Sequence, residues 1–331
     1  MTRKLTNIEF MRALCALGII AYHFAHYTNC AHKFFLNFAN GLWGEAVVVV
    51  FFALSGAMLY HSHQDIPSLK QFYLRRARSI FPMFYVTFLV FYIGNVIKFH
   101  SLFYRTDCSP WTLLLTLIGM DGYLRYAIMN YYIVGEWFIG PIIILYLLYP
   151  LLLKGIKRLP ATTTSIVIAL YFSLLINNIF TMDSFRNIFS CIISFYFGML
   201  LFKYKEYLES NKVLAIAAVI MVLEAAVPLP FSQNLSTHLL GFALFIVLYR
   251  VGIYACKIKE VEKLSLFLGK LSYPIFLVQH EIVTRVCLFY NPYGRLQMSM
   301  MLLISTLISV LLAFVIARFT SWLTHIILPS K

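Results

Sequence analysis

Charge is what this chain has least of. Only 12% of its 331 residues are Asp, Glu, Lys or Arg, and the acids number 13 in all. With 61% hydrophobic and 17% aromatic residues and a mean hydropathy of +0.80, too little polar surface exists to clothe a water-soluble globule of this length. Linkers, low-complexity tracts and internal repeats are also missing. Nothing divides the chain, and residues 1–331 are expected to form a single integral membrane domain with no appended soluble module. The six cysteines show no CxxC spacing and no histidines at zinc-site intervals, so neither a metal site nor a disulfide framework is expected. Cys30 and Cys108 both fall in expected outer loops and form the one conceivable pair; the plainer reading takes all six as small apolar fillers. A formal charge of +14 invites nucleic acid as a partner. The basic residues, however, are dispersed in short clusters between apolar runs, which is a pattern of membrane topology.

What the chain does have is long apolar runs. A window of about 20 residues finds them near 8–27, 41–60, 79–99, 132–152, 162–182, 188–203, 213–229, 237–256, 266–287 and 299–327. The expectation is an all-α, polytopic fold with about ten transmembrane helices. Placing the N-terminus in the cytoplasm puts seventeen basic residues on that side, from Arg3 and Lys4 through Lys70, Arg75, Arg76 and Arg78 to Lys331. The opposite loops hold six: Lys33, Lys98, Arg105, Arg125, Arg186 and Arg295. The positive-inside rule therefore predicts N-in and C-in. The stretch near 111–128 begins apolar but carries Asp121, Gly122 and Arg125, and is expected to be re-entrant or interfacial. The first apolar run is too long and too charged for a cleaved secretory signal and is expected to persist as a helix.

Arg12 and His23 lie inside that first run. Eleven residues apart, they are separated by about three helical turns and roughly 16 Å, on one face. An ionisable group at membrane depth is a functional hypothesis by default, and His is the side chain suited to moving a proton near neutral pH. Glu9 precedes Arg12 by three residues and can pair with it. The basic loop Lys70–Pro82 holds Arg75, Arg76 and Arg78, which can grip phosphates in bidentate fashion or simply anchor to lipid headgroups. Ser55-Gly56, near the end of the second run, suits either helix packing or substrate binding. Two other runs are unusually polar. Gly135–Pro150 opens with Glu136, Trp137 and a Gly-Pro pair, and Leu268–Arg285 contains Gln279, His280, Glu281 and Arg285. Trp137 and His280 are substrate-contact candidates, against the alternatives of an interfacial belt residue and a packing histidine.

Taken in order, these elements resemble the acyltransferase 3 family of integral membrane O-acyltransferases. The carriers are Glu9, Arg12 and His23; Phe51, Phe52, Ser55 and Gly56 as FF-x-x-SG; Arg75 and Arg78 as R-x-x-R with Pro82 downstream; Trp137 to Pro150; and the LG-K-x-SY element with its following histidine, Leu268 to His280. The resemblance implies transfer of an acyl group, usually acetyl, from cytoplasmic acyl-coenzyme A to a hydroxyl of an extracytoplasmic or lipid-linked glycan. It implies a multi-pass protein of the cytoplasmic (inner) membrane, with no metal and no nucleic acid, whose partners are the donor, the saccharide acceptor and lipid. His23, Arg12 and Glu9 would be the catalytic residues. Arg75, Arg78 and Arg76 would hold the donor, and Trp137, Ser55 and His280 would contact substrate. The chain departs from the family pattern at Val49, where an acid often precedes FF-x-x-SG, and at Ile142, where a glutamate is common.

The implied chemistry suits the residues. Cationic side chains at the inner surface can hold the phosphates of coenzyme A, and neutral His23 can either take a proton from the acceptor hydroxyl or itself receive the acyl group first. Ser55, Tyr273 and Gln279 are the groups available as donors to an oxyanion. The competing readings are a glycan or lipid transporter, in which Glu9, Arg12, His23 and His280 line a pathway without consuming donor, and a receptor or assembly factor.

Overall fold

The computed structural model describes residues 5–28, 41–135, 137–176, 180–227, 230–289 and 294–327, and all regular structure among them is helical. The helices are α1 (Thr6–Tyr27), α2 (Trp43–Ser62), α3 (Leu69–Phe99), α4 (Leu113–Leu117), α5 (Asp121–Leu124), α6 (Ile139–Arg158), α7 (Pro160–Ile176), α8 (Ile188–Lys203), α9 (Lys205–Glu209), α10 (Asn211–Ala226), α11 (Gln233–Ala255), α12 (Lys259–Lys270), α13 (Ser272–Phe289) and α14 (Arg295–Ile327). Six of them, α1, α2, α3, α6, α11 and α14, are long and apolar enough to cross a membrane. The protein is a multi-pass membrane protein. The remaining expected spans correspond to shorter or more polar helices: α7 has 17 residues, α8 and α10 have 16 each, and α13 has 18 but carries Glu281 and Arg285.

Two expected boundaries are corrected. Lys70–Pro82 is not a loop but the first part of α3, capped by Ser68, whose hydroxyl accepts from the Gln71 backbone N–H at 3.3 Å. At 31 residues this helix is about 46 Å long, well beyond a ~30 Å hydrocarbon core, so its basic first turns can emerge from the bilayer without the helix ending. The run 266–287 is likewise two helices, with Leu271 as the C-cap of α12. Pro274 sits in the first turn of α13, where its missing N–H would have no intrahelical partner anyway.

The chain divides into two compact units, Met1–Ile66 with Leu148–Ser272 and Pro67–Leu147 with Tyr273–Lys331. The first unit is built around α2. Ile8, Met11, Cys15 and Ile19 of α1 recur at helical spacing and pack with Val50, Leu54 and Ala57 of α2 and Phe245 and Tyr249 of α11. Against α8 the contact is closer still. A Cβ on Gly56 would strike the backbone carbonyl of Phe195, and one on Gly198 would strike that of Ala53, so small residues bring the two backbones into direct contact.

In the second unit, residues 110–128 form a 3-10 turn (Pro110–Thr112), then α4 and α5. The longest of these pieces has five residues, about 8 Å of helix, far short of a crossing. Its fastening point is Asp121, which is buried. The Thr116 hydroxyl donates to its Oδ2 at 3.0 Å and the Gly122 N–H to its Oδ1 at 2.9 Å, while the Asn130 amide donates to its backbone carbonyl at 2.9 Å. Burial outweighs these bonds and pushes the carboxyl up to about 6. Below that pH the folded chain keeps a proton that the unfolded chain releases in the ordinary carboxylate range. The stabilisation is therefore greatest at acid pH and is lost as pH rises through about 6. Thermal unfolding in detergent is expected to shift to lower temperature between pH 5 and pH 7, and Asp121→Asn should flatten that slope; an identical slope in the variant would remove Asp121 as its source.

Candidate active site

The first unit carries Glu9, Arg12, His23 and Ser55. Arg12 Nη1 donates to Glu9 Oε1 at 3.0 Å, with side-chain exposures of 31% and 21%. The pair is held from outside α1 by α12. Gly269 lies so close to Glu9 that an added Cβ would come within 2.6 Å of its backbone carbonyl and 2.5 Å of Oε2. The glycine of the LG-K-x-SY element is thus a seat for the acid of the first helix.

His23 lies half-buried near the C-terminal end of the same helix. The Tyr22 ring meets its imidazole edge-on at 5.7 Å, stacks on His26 at 6.0 Å and meets Trp43 at 5.1 Å. Gly44 leaves room for that ring, so the last turn of α1 docks onto the first turn of α2. The Thr237 hydroxyl donates there to Glu45 Oε2 at 3.4 Å, and Asp183 and Arg186 lie near enough to act electrostatically on Glu45. Tyr22 senses both Glu45 and Arg186. Below this cluster His238 is fully buried, with Nδ1 2.8 Å from the Asn234 carbonyl and Nε2 3.1 Å from that of Ser190. Glu45 and His238 were not among the sequence candidates. Glu45 had a signal, however: it stands four residues before Val49, one helical turn away on the same face.

Arg75, Arg76, Arg78, Trp137 and His280 belong to the second unit. Arg75 and Arg78 are exposed on α3, about 60° apart around its axis. Arg76 points elsewhere: its guanidinium lies over the rings of Phe72 and Tyr146, 5.9 Å from each centroid, and its Nε is buried without a hydrogen-bond partner. Trp137 is half-buried just before α6, and Glu136 lies outside the described residues. His280 is half-buried on α13, its carbonyl accepting from the Thr284 hydroxyl at 2.8 Å.

Two of the three expected oxyanion donors are already engaged. Ser55 donates to the Phe51 carbonyl at 2.9 Å, and Tyr273 to that of Ile80 at 3.1 Å. Gln279 is fully buried, and neither Nε2 nor Oε1 has a partner among the described residues. Cys108 is a free thiol, and Cys30, the other member of the conceivable pair, lies outside the described residues. Among the described residues no three His, Cys, Asp or Glu side chains converge on a point that could hold a metal ion.

A family model for the acyltransferase domain of the acyltransferase 3 family matches residues 5–318. The chain belongs to the acyltransferase 3 family. Within a 97-residue stretch the chain is 33% identical to peptidoglycan O-acetyltransferase OatA of Listeria monocytogenes serovar 1/2a. That stretch is 27% of this chain and 14% of the relative, so the chain spans only a small part of the curated protein that it matches. No solved structure matches. Of the two departures from the family pattern, Val49 is buried on α2 with Glu45 one turn earlier, and Ile142 is buried on α6.

Glycine to alanine inside a helix ordinarily stabilises by up to ~1 kcal/mol. At Gly269 contact with the Glu9 backbone should reverse the sign, whereas at Gly94 of α3 a Cβ meets nothing within 4 Å. Gly269→Ala is expected to lower the unfolding temperature and Gly94→Ala to leave it equal or higher. Equal behaviour of the two variants would mean that α12 does not seat Glu9.

Proposed function

We propose that this protein is a membrane O-acyltransferase that moves an acetyl group from cytoplasmic acetyl-coenzyme A to a hydroxyl of an extracytoplasmic or lipid-linked polysaccharide. The observation that carries this reading is the layout of α1 in a chain of this family: an ion-paired arginine and, three turns along the same face, a histidine. Membership of the acyltransferase 3 family and the likeness to a peptidoglycan O-acetyltransferase support it. The protein would lie in the cytoplasmic (inner) membrane with ten crossings and both ends of the chain inside, in keeping with its basic clusters.

Arg75 and Arg78 would take the phosphates of coenzyme A, and Arg76 would buttress that surface through its two rings. The buried Gln279 amide offers a donor and an acceptor together, which matches the amide groups of the pantetheine arm. Neutral His23 would take the proton of the acceptor hydroxyl as its oxygen attacks the thioester carbonyl. Collapse of the tetrahedral intermediate then breaks the carbon–sulfur bond, and the imidazolium returns the proton to the departing thiolate, giving an ester and free coenzyme A. Glu45, on the turn of α2 that meets the last turn of α1, would be a carboxylate to stabilise the imidazolium.

With radiolabelled acetyl-coenzyme A and protein in nanodiscs, His23→Ala should lower transfer by about 10²-fold or more without altering the unfolding temperature. Arg75→Ala with Arg78→Ala should weaken coenzyme A binding by about tenfold or more, as expected for lost charge-assisted bonds. Full activity in the first variant would sink the mechanism, and unchanged affinity in the second would return those arginines to lipid anchoring. Gln279→Met removes a buried amide that has no partner, so the resting protein should be equally or more stable while its affinity for coenzyme A falls. A loss of stability with no change in affinity would make Gln279 a packing residue.

A further inference from the structure

The helices α3 and α13 run side by side and parallel within the second unit. Near their starts the Tyr273 hydroxyl donates to the Ile80 carbonyl at 3.1 Å, and near their ends Arg285 Nη2 donates to Asn95 Oδ1 at 3.3 Å. Asn95 lies twenty residues beyond Arg75 on one unbroken helix, about 30 Å along its axis, which is the thickness of a hydrocarbon core. Whatever the Arg75 end of α3 does at one membrane surface, the Asn95 end is at the other.

Four polar side chains meet there. Arg285 donates through Nε and Nη2 to Glu281 Oε2 at 3.2 and 3.1 Å, and the Asn95 amide donates to the Tyr104 hydroxyl at 3.2 Å. Aromatic rings wall the cluster. Tyr104 stacks on Phe99 at 5.6 Å, meets Tyr131 edge-on at 5.7 Å and leans on Tyr92 at 5.8 Å, while the Arg285 guanidinium lies 5.6 Å from the Phe91 centroid. The polar heads remain reachable: the Arg285 side chain is 40% exposed and that of Glu281 22%, and Phe99 is 53% exposed. A partly exposed Glu–Arg pair one turn apart is worth only a few tenths of a kcal/mol, too little to justify two charges on this helix.

The combination has a chemical meaning. A sugar ring offers a flat C–H face to an aromatic side chain and neighbouring hydroxyls to planar groups with paired donors or acceptors, which are what Asn, Glu and Arg supply. We propose that Asn95, Tyr104, Glu281 and Arg285 form a saccharide-binding subsite that holds the sugar rings of the acceptor at the membrane surface opposite Arg75. The proposal rests on the acyl-transfer reading for the word acceptor and on the geometry of this unit for the word saccharide.

The test measures binding by calorimetry to the full chain in nanodiscs, without acetyl-coenzyme A. Two probes are used: the tetramer of N-acetylglucosamine and the disaccharide-peptide released from peptidoglycan by muramidase. At least one should bind the unaltered protein. Tyr104→Ala and Arg285→Ala should each weaken that binding by about tenfold or more, Tyr104→Phe, which keeps the stacked ring, should weaken it less, and Leu288→Ala, at an 80% exposed neighbour, should leave it intact. Coenzyme A affinity should be unchanged in all four, which guards against misfolding. Absence of binding to both probes, or equal binding by the Tyr104→Ala and Arg285→Ala variants, overturns the subsite. A protein that binds saccharide through these residues but never consumes acetyl-coenzyme A would overturn the acyl-transfer reading and leave the subsite standing.

Discussion

The contact on which the first unit depends is the crossing of α2 and α8, where Gly56 meets the Phe195 carbonyl and Gly198 meets the Ala53 carbonyl. With two backbones in direct contact, α2 has no freedom to slide, and it becomes the post around which α1 and α11 pack. Two thirds of its central window is buried (67%), the largest share among the six crossing-length helices. The active-site candidates inherit their positions from this post. At its far end Gly44 receives the Tyr22 ring, which brings the His23 turn of α1 to the Glu45 turn of α2. A glycine pair near one end of a helix thus sets the surroundings of a histidine at the other.

Hydrocarbon imposes the second constraint: polar groups carried inside must find partners inside. The solutions are local and varied. Tyr149 places its hydroxyl 2.9 Å from the Leu59 carbonyl and 2.8 Å from that of His63, serving the C-terminal end of α2. Lys203 donates to the Ile156 carbonyl at 2.6 Å, and Arg250 reaches Asn211 Oδ1 at 2.9 Å. Arg76 spends its charge on two aromatic faces. Gln279 is the contrasting case: neither end of its buried amide has a partner among the described residues, and a buried amide left unsatisfied is destabilising.

Much of this was legible in the linear chain. Apolar runs marked the helices, Glu9 and Arg12 announced their pairing by spacing alone, and the R-x-x-R pattern put Arg75 and Arg78 on one face. Where the reading failed, the physics is specific. Basic residues at 70–78 look like a loop because charge usually ends a span, yet a helix longer than the bilayer is thick carries charge on its protruding turns. A hydropathy window over 266–287 is blind to the cap at Leu271, which ends α12 before α13 begins. An acid on the face of Val49 need not stand at position 49, because one turn along a helix returns to that face, where Glu45 lies.

The sequence by itself determined membrane residence, the helical class, the family and the residue types available for catalysis, because hydropathy, helical periodicity and side-chain chemistry are properties of a residue and its near neighbours. Only the tertiary structure decided which candidates are already committed and which are available. Ser55 and Tyr273 give their hydroxyls to Phe51 and Ile80, Arg76 turns away from Arg75 and Arg78, Gln279 keeps both ends of its amide open, and Asn95 meets Arg285 across 190 residues of chain. Most of these outcomes turn on contacts between residues far apart in the chain, and no local pattern encodes which distant carbonyl or ring a side chain will find.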